Sequence, residues 1–152
     1  MIALRPIEPI EFPTFAAYFI PEYAAEITAN FGTDPAIALA EATASLAQDL
    51  PQGADTPGEQ MMCITLADQV IGYLFYSMNP DTRSAFIGDF HVLPAHQNQG
   101  IGTAAIAALE ARLKPEGITQ IRLRVAASNT RAQHLYTRLG FFPTGINMAK
   151  TL

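Results

Sequence analysis

The chain has 152 residues with a formal net charge of −5; 49% of the residues are apolar and 15% are charged. This length and composition predict a single folded domain over residues 1–152 and exclude a disordered chain. The single cysteine excludes a disulfide scaffold. No run of Lys or Arg matches successive phosphates, and no apolar stretch approaches the roughly 18 residues of a membrane helix. We therefore expect a cytoplasmic protein that binds neither nucleic acid nor membrane, with a lightly charged surface compatible with a homodimer.

The first third of the chain is predicted to be mainly helical. Residues 2–5 favour a short strand, and apolar residues at helical spacing over 12–20 then lead to Pro21, which is expected to stop or kink that helix. A second helix is predicted over 22–31. A third begins with an Asp-Pro pair, a typical N-cap and first-turn residue, and spans 34–50.

After residue 60 the pattern changes to one of strands and turns. Apolar, β-prone runs at 60–66, 70–77 and 83–92 are separated by short polar turns, which is typical of an antiparallel meander. The remaining predictions, in chain order, are a helix over 100–114, a strand over 118–126, a helix capped by Ser128 or Asn129, and an extended last strand over 141–152. This order predicts an α+β fold: a mixed, mostly antiparallel central sheet flanked by helices.

A polar turn between a strand and a helix, residues 90–103, carries the clearest functional signal. Gly100 and Gly102 open the helix, and a helix N-terminus has free N–H groups that bind anions when no side chain stands in the way. A P-loop is excluded because no Gly-Lys-Ser/Thr follows, and a dinucleotide fold because no acid stands about 20 residues on, at 120–122. A tight turn that binds no ligand remains the structural alternative.

Two motifs in sequence resemble those of a known family. The segment Val92-x-Pro94-x-x-Gln97-x-x-Gly100-x-Gly102 resembles the acetyl-coenzyme A motif of the GNAT family of N-acetyltransferases. The segment 129–141, Asn-Thr-Arg-Ala-x-x-Leu-Tyr-x-x-Leu-Gly-Phe, resembles the second motif of the same family, in the usual order and separation. The match covers residues 88–142, and the order of strands and helices extends it to a GNAT-like acyltransferase fold for the whole chain.

The resemblance implies direct transfer of an acetyl group from acetyl-coenzyme A to a small-molecule or peptide amine, with no metal and no covalent enzyme intermediate. Backbone groups are then expected to bind the pantetheine arm and the pyrophosphate; they belong to Val92, Leu93, Gln97, Asn98, Gln99, Gly100, Ile101, Gly102 and Thr103. Asn129 would hold the pantetheine or position the sulfur, and it also suits a helix cap. Tyr136 would contact the cofactor and protonate the departing thiolate, whereas its structural alternative is a core tyrosine.

The general base is not identified by the motifs. Many relatives carry a glutamate where this chain has Gly88 or Phe86, and some carry one where it has Arg124. The remaining candidates on the same strand are Asp89 and His91: His91 has a natural pKa of about 6.5, whereas Asp89 needs a pKa raised by burial.

The early helices are expected to wall the acceptor pocket through Glu22, Tyr23 and Glu26, unless the two glutamates only form a solvated helix face. A second function stays open at this point: a coenzyme A-binding or regulatory module that keeps the turn but has lost catalysis. The intact Asn129 and Tyr136 favour the enzyme, and the missing glutamates favour the module.

Overall fold

The computed structural model describes all residues, 1–152, as five strands and four α-helices around one sheet. In chain order the elements are β1 (Ile2–Pro6), α1 (Phe12–Phe31), α2 (Pro35–Asp49), β2 (Gln60–Leu66), β3 (Gln69–Asn79), β4 (Ser84–Val92), α3 (Ile101–Leu113), β5 (Gln120–Leu123) and α4 (Thr130–Arg138). The strands lie in the order β1-β2-β3-β4-β5, antiparallel except for the parallel pair β4–β5. The mixed, mostly antiparallel α+β architecture predicted from the sequence is confirmed.

The two faces of the sheet bury two separate cores because neighbouring residues of a strand point to opposite sides. On one face, Ile64 packs with Ile106 and other residues of α3. On the other face, Cys63 packs with Phe15 of α1, so the single cysteine is a core residue. The sheet is therefore a layer between α3 and the hairpin of α1 and α2.

The helix α1 corrects one prediction: it runs through Pro21 as one helix of 20 residues instead of two helices. Pro21 removes one backbone hydrogen bond, but the helix buries Phe15 before it and Ala24 and Ile27 after it. The packing on both sides of the proline offsets the lost bond. None of the helices has the length and apolar character needed to cross a membrane.

A cleft opens where β4 and β5 diverge. β4 pairs with β5 only over Ser84–Ile87, opposite Gln120–Leu123, although β4 itself continues to Val92. The strand predicted over 118–126 is therefore shorter than expected, because beyond Leu123 the chain has left its neighbour. The backbone of residues 88–92 has no strand on that side and can bind an extended ligand.

The last predicted strand, over 141–152, is not formed. Gly140, at φ 93°, ends the turn after α4, and the residues that follow adopt no regular structure. A strand needs a neighbour to accept its hydrogen bonds, and within the chain this segment lies against none. The prediction of a strand was wrong for the single chain. Alternation of apolar and polar residues indicates which face of a strand is buried, but it does not specify a neighbouring strand to pair with.

Candidate active site

Two cavities of similar size meet at the cleft between β4 and β5. The first, of about 450 Å³, lies between α1 and the diverging strands, and the second, of about 460 Å³, lies between the turn before α3 and the helix α4. We call them the acceptor cavity and the phosphate cavity. The residues that line both are Phe90, His91, Asn129, Ala132 and Tyr136. A group transferred from one cavity to the other would pass these five residues.

The phosphate cavity is lined by cationic and neutral side chains only. Arg131 and Arg138 of α4 line it together with His96 and His134, and no Asp or Glu does. The N-terminal turn of α3 adds free backbone N–H groups and the positive end of the helix dipole. The cavity therefore suits a ligand with several phosphates.

The turn that precedes α3 depends on unusual backbone angles. Asn98 and Gly100 have φ of 61° and 75°, a left-handed region in which Gly, and to a lesser degree Asn, is favoured. Gly102 has another role: a Cβ there would lie 3.0 Å from Leu135 Cδ2, so the glycine lets α4 pack against α3. Most of the predicted turn residues line the cavity, but Gln99 does not and instead donates a hydrogen bond to the carbonyl of Ala95 at 3.3 Å.

The backbone of β4 presents Val92 to the cleft, but not Leu93. The Leu93 N–H donates to the Ile71 carbonyl on β3 at 2.8 Å, so of the predicted backbone groups of Leu93 only the carbonyl, which accepts from the His96 N–H at 2.9 Å, could contact the pantetheine. Backbone N–H and C=O groups alternate in direction along a strand. The N–H and the C=O of Val92 therefore point away from β3 and into the cleft. The Gln97 side chain already donates to the Val92 carbonyl at 2.8 Å, and Arg131 in turn donates to Gln97 Oε1. The Val92 N–H is the group left for a ligand.

The acceptor cavity is acidic. Five carboxylates line it, and the single guanidinium is Arg124, which lies 3.5 Å from Glu26. The five are Glu22, Glu26, Asp49, Glu59 and Asp89. Glu22, Tyr23 and Glu26 all line this cavity, where the sequence placed the acceptor wall. Burial, followed by the charge of Asp49, raises the pKa of Glu59. A cation entering this cavity would be attracted to it.

Asp89 precedes Phe90 and His91, which line both cavities, and it is itself in the lining of the acceptor cavity. Tyr18 of α1 donates a hydrogen bond from its hydroxyl to Asp89 Oδ2 at 3.0 Å. Burial raises the pKa of Asp89 to about 7, while the bonds from Tyr18 and from the Phe90 backbone oppose that rise. A carboxyl group with a pKa near 7 exchanges a proton at neutral pH, which is the property the sequence analysis required of Asp89.

His91 and Tyr136 lie beside Asp89 with pKa values shifted in opposite directions. Burial lowers the pKa of His91 to about 4, with a further contribution from Arg131, and the ring stacks on Tyr18 with centroids 3.8 Å apart. His91 is thus neutral at pH 7 and a weak base, contrary to the expectation of a near-natural pKa. Burial, then the charge of Asp89, raises the pKa of Tyr136, so its hydroxyl keeps its proton.

The absence of a glutamate at residue 88 has a steric cause. Gly88 forms a β-bulge, because Phe75 is opposite Asp89 while Tyr76 is opposite Ile87. A Cβ on Gly88 would lie 2.0 Å from Phe75 Cε2, so no side chain fits there. Asp89, one residue further, directs its carboxylate towards Tyr18 instead.

Sequence reasoning missed three residues of the site. Tyr18 was assigned to no role, and only the packing of α1 against β4 brings its hydroxyl to Asp89. Arg131 and Arg138 were also missed, although their spacing of seven on one helix places both on the same face, which was a usable signal. Asn129 was placed correctly as a cap: its side chain accepts a hydrogen bond from the Ala132 N–H at 3.1 Å.

The fold and the two joined cavities define an acyltransferase-type domain. The model of the acetyltransferase (GNAT) family matches residues 22–141. The chain therefore belongs to the GNAT family of acetyltransferases, as its two motifs predicted, and it is an acyltransferase.

Three similar proteins support this assignment. The uncharacterized N-acetyltransferase YycN of Bacillus subtilis is 29% identical over 99% of each chain, and its crystal structure superposes with a TM-score of 0.93. Thialysine N-epsilon-acetyltransferase of Bos taurus is 35% identical over 47% of this chain and 44% of its own. The PaiA N-acetyltransferase of Thermoplasma acidophilum, solved with coenzyme A, is 14% identical with a TM-score of 0.72 over 93% of this chain and 90% of its own, which shows the fold alone.

Proposed function

We propose that this protein transfers the acetyl group of acetyl-coenzyme A to a cationic primary amine by direct transfer in a ternary complex. The observation that carries the proposal is the junction of a cationic cavity with an acidic one: Tyr136 lines both cavities, and Asp89 lines the acidic one. The residues fit the cofactor: Arg131, Arg138 and the turn before α3 would bind its phosphates, and the Val92 N–H would face the thioester oxygen. When bound, acetyl-coenzyme A supplies the thioester carbonyl that the amine attacks and the thiolate that leaves.

The side chains divide the proton transfers between them. Asp89 accepts a proton from the ammonium group of the acceptor, since its pKa of about 7 lets it be both anionic and basic at neutral pH. Tyr136 would then donate its proton to the thiolate that leaves, and its phenolate would take up the proton that the nitrogen loses as the amide forms. The order follows from electrostatics: the anionic Asp89 raises the pKa of Tyr136, and this effect ends once Asp89 is protonated. Tyr136 is thus a stronger acid after the amine has been activated.

The acceptor cavity selects for positive charge. Glu22, Glu26 and Tyr23 of α1 face the diverging strands across it, and Arg124 is paired with Glu26. An ammonium group that enters the cavity gains attraction from several carboxylates before it reaches Asp89. The name of one relative agrees with an amine acceptor: it is a thialysine N-epsilon-acetyltransferase.

The first test is the pH dependence of turnover, measured as thiol release with a panel of amines, polyamines, amino acids and peptides. With Asp89 as the base, the acidic limb of kcat has a midpoint near pH 7, is lost in Asp89→Asn and is kept in His91→Gln. A midpoint near pH 4 that only His91→Gln removes would assign the base to His91. Binding of acetyl-coenzyme A without turnover for any amine would support the non-catalytic module instead.

The second test concerns Tyr136. The variant Tyr136→Phe keeps the ring, whose centroid lies 5.3 Å from that of Phe141, and removes only the proton. Loss of a general acid lowers kcat by about 10²–10⁴-fold, whereas affinity for acetyl-coenzyme A should change little. Equal turnover in the variant would return Tyr136 to a packing role.

A further inference from the structure

The acceptor cavity contains one cationic side chain, that of Arg124. This residue directly follows β5, and no other Arg or Lys lines the cavity, although five carboxylates do. His91 is also in the lining, but its lowered pKa of about 4 keeps the ring neutral at pH 7. Arg124 therefore supplies the only positive charge that an anionic group would meet in this cavity.

The contact between Arg124 and Glu26 leaves most of the guanidinium free. Only Nη1 of Arg124 reaches Glu26, at 3.5 Å, which is too long for a strong hydrogen bond, and the two side chains are 50% and 31% exposed. A fully engaged arginine differs: Arg5 donates to both carboxylate oxygens of Glu11, at 2.9 and 2.7 Å. Because a guanidinium has several N–H donors, Arg124 retains donors for a further partner.

Arg124 lies at the mouth of the acceptor cavity, whereas Asp89 lies deeper. The side chain of Arg124 is exposed, while Asp89 is partly covered and accepts a hydrogen bond from the Tyr18 hydroxyl on α1. An acceptor whose ammonium group reaches Asp89 therefore directs its other end towards the mouth. The end that does not react is thus the one that can meet Arg124.

The charges of the cavity restrict which anion can bind at Arg124. Glu22 and Glu26 lie one helical turn apart on α1 and line the same cavity, so they would repel a phosphate dianion about twice as strongly as a carboxylate. A guanidinium also matches a carboxylate in shape, because its planar fork can donate two parallel hydrogen bonds. A carboxylate at Arg124 would compete only with the long contact to Glu26.

We propose that Arg124 selects acceptors that carry a carboxylate in addition to the amine: Asp89 receives the ammonium group, and Arg124 binds the carboxylate at the other end. This inference rests on the acetyl transfer proposed above and narrows its acceptors from primary amines in general to amino acids and similar zwitterions. The two charged groups of such an acceptor match the charges at the two ends of the cavity, whereas a plain amine matches only one of them.

Pairs of acceptors that differ only in the carboxylate test this selection. The pairs are β-alanine and ethylamine, γ-aminobutyrate and propylamine, ε-aminocaproate and pentylamine, and lysine and cadaverine. For at least one pair, kcat/KM of the wild-type protein should be at least about tenfold higher for the amino carboxylate. Arg124→Gln should remove this preference by lowering kcat/KM for the amino carboxylate alone, because the plain amine makes no contact that the substitution removes. Arg124→Lys keeps the charge without the planar fork and should retain part of the preference.

Arg122→Gln is the matched control for the loss of one positive charge. Arg122 lies two residues before Arg124, donates a hydrogen bond to Gln120 and lines neither cavity. The control variant should keep the wild-type preference for the amino carboxylate. Equal use of both members of every pair by the wild type, or a preference that survives in Arg124→Gln, would overturn the role of Arg124 and leave the proposed acetyl transfer intact.

A binding measurement separates this inference from the proposed function. Calorimetry with and without coenzyme A gives the affinity for the same pairs in the absence of turnover. Tighter binding of the amino carboxylate that is lost in Arg124→Gln, combined with no thiol release from acetyl-coenzyme A, would support the carboxylate site and refute the acetyl transfer. Binding of neither member of any pair would overturn the carboxylate site itself.

Discussion

A few contacts around Asp89 decide the chemistry at the level of single residues. The carboxylate is buried, which raises its pKa, and one hydroxyl, that of Tyr18, limits the rise. The titratable or charged groups that face it are Glu22 and Glu26 of α1 and, across the cleft, Tyr136. Tyr18 belongs to no predicted motif, yet its hydroxyl donates a hydrogen bond to Asp89 and its ring stacks on His91.

We predict that Tyr18→Phe moves the acidic limb of kcat to higher pH. The substitution keeps the stacking on His91 but removes the hydrogen bond that lowers the pKa of Asp89. A bond worth about 0.5–1.5 kcal/mol corresponds to a shift of about 0.4–1 pH unit. Tyr23→Phe, on the same wall of the cavity, is the control and should leave the midpoint in place. An unmoved midpoint in Tyr18→Phe would mean that the hydroxyl does not tune Asp89.

At the level of elements, the site is assembled by ends and irregularities of regular structure. The bulge at Gly88 turns Asp89 towards α1, the divergence of β5 opens the cleft, and the first turn of α3 directs its N–H groups into the phosphate cavity. Each of these features breaks a regular ladder of hydrogen bonds and so leaves polar groups free for a ligand.

The first turn of α3 yields a prediction about cofactor binding. Thr103 is exposed and lines the phosphate cavity, so Thr103→Glu brings a negative charge towards the phosphates without disturbing the core. Affinity for acetyl-coenzyme A should fall by at least about tenfold, measured by calorimetry. Ala107→Glu, an exposed position one turn further along the same helix, should bind as the wild type does. Equal affinities would place the phosphates elsewhere. This pair is a cleaner test than a change at Gly102, which also packs against Leu135.

For the whole molecule, the site imposes a cost on stability. The pKa of Asp89 is about 7 in the folded protein and about 3.9 when unfolded. A raised folded pKa contributes stability at pH values below the unfolded pKa, and that contribution is lost as the pH rises through 7. Above pH 7 the protein therefore carries a buried charge, and the proposed role of Asp89 as the base needs that charge.

We expect Asp89→Asn to be more stable than the wild type at pH 8. The advantage should be small at pH 4, grow as the pH rises to 7 and then level off, at no more than about 4 kcal/mol, or about 8–16 °C in Tm. Glu22→Gln removes an exposed carboxylate of the same cavity and should show no comparable gain. A difference in Tm between Asp89→Asn and the wild type that is constant from pH 4 to 8 would contradict the raised pKa.

The sequence by itself determined the fold class, most of the order of the elements and the position of the turn before α3. These follow from local patterns: strand alternation, helical spacing, the Asn129 cap and the glycines before and within the first turn of α3. The family motifs lie in such local segments, which is why they were recognisable without a structure. Tyr136, which belongs to the second of these motifs, lines both cavities.

Only the tertiary structure decided what depends on contacts between distant segments. The continuity of α1 through Pro21 depends on packing on both sides of it, and the opposite pKa shifts of Asp89 and His91 depend on burial and on contacts with Tyr18, which is 71 residues before Asp89. Residues 142–152 have the alternating pattern of a strand, but a strand also needs a neighbour to accept its hydrogen bonds, and the pattern does not specify one. Burial, charge and pairing are properties of neighbours in space, and neither spacing nor composition specifies which neighbours those are.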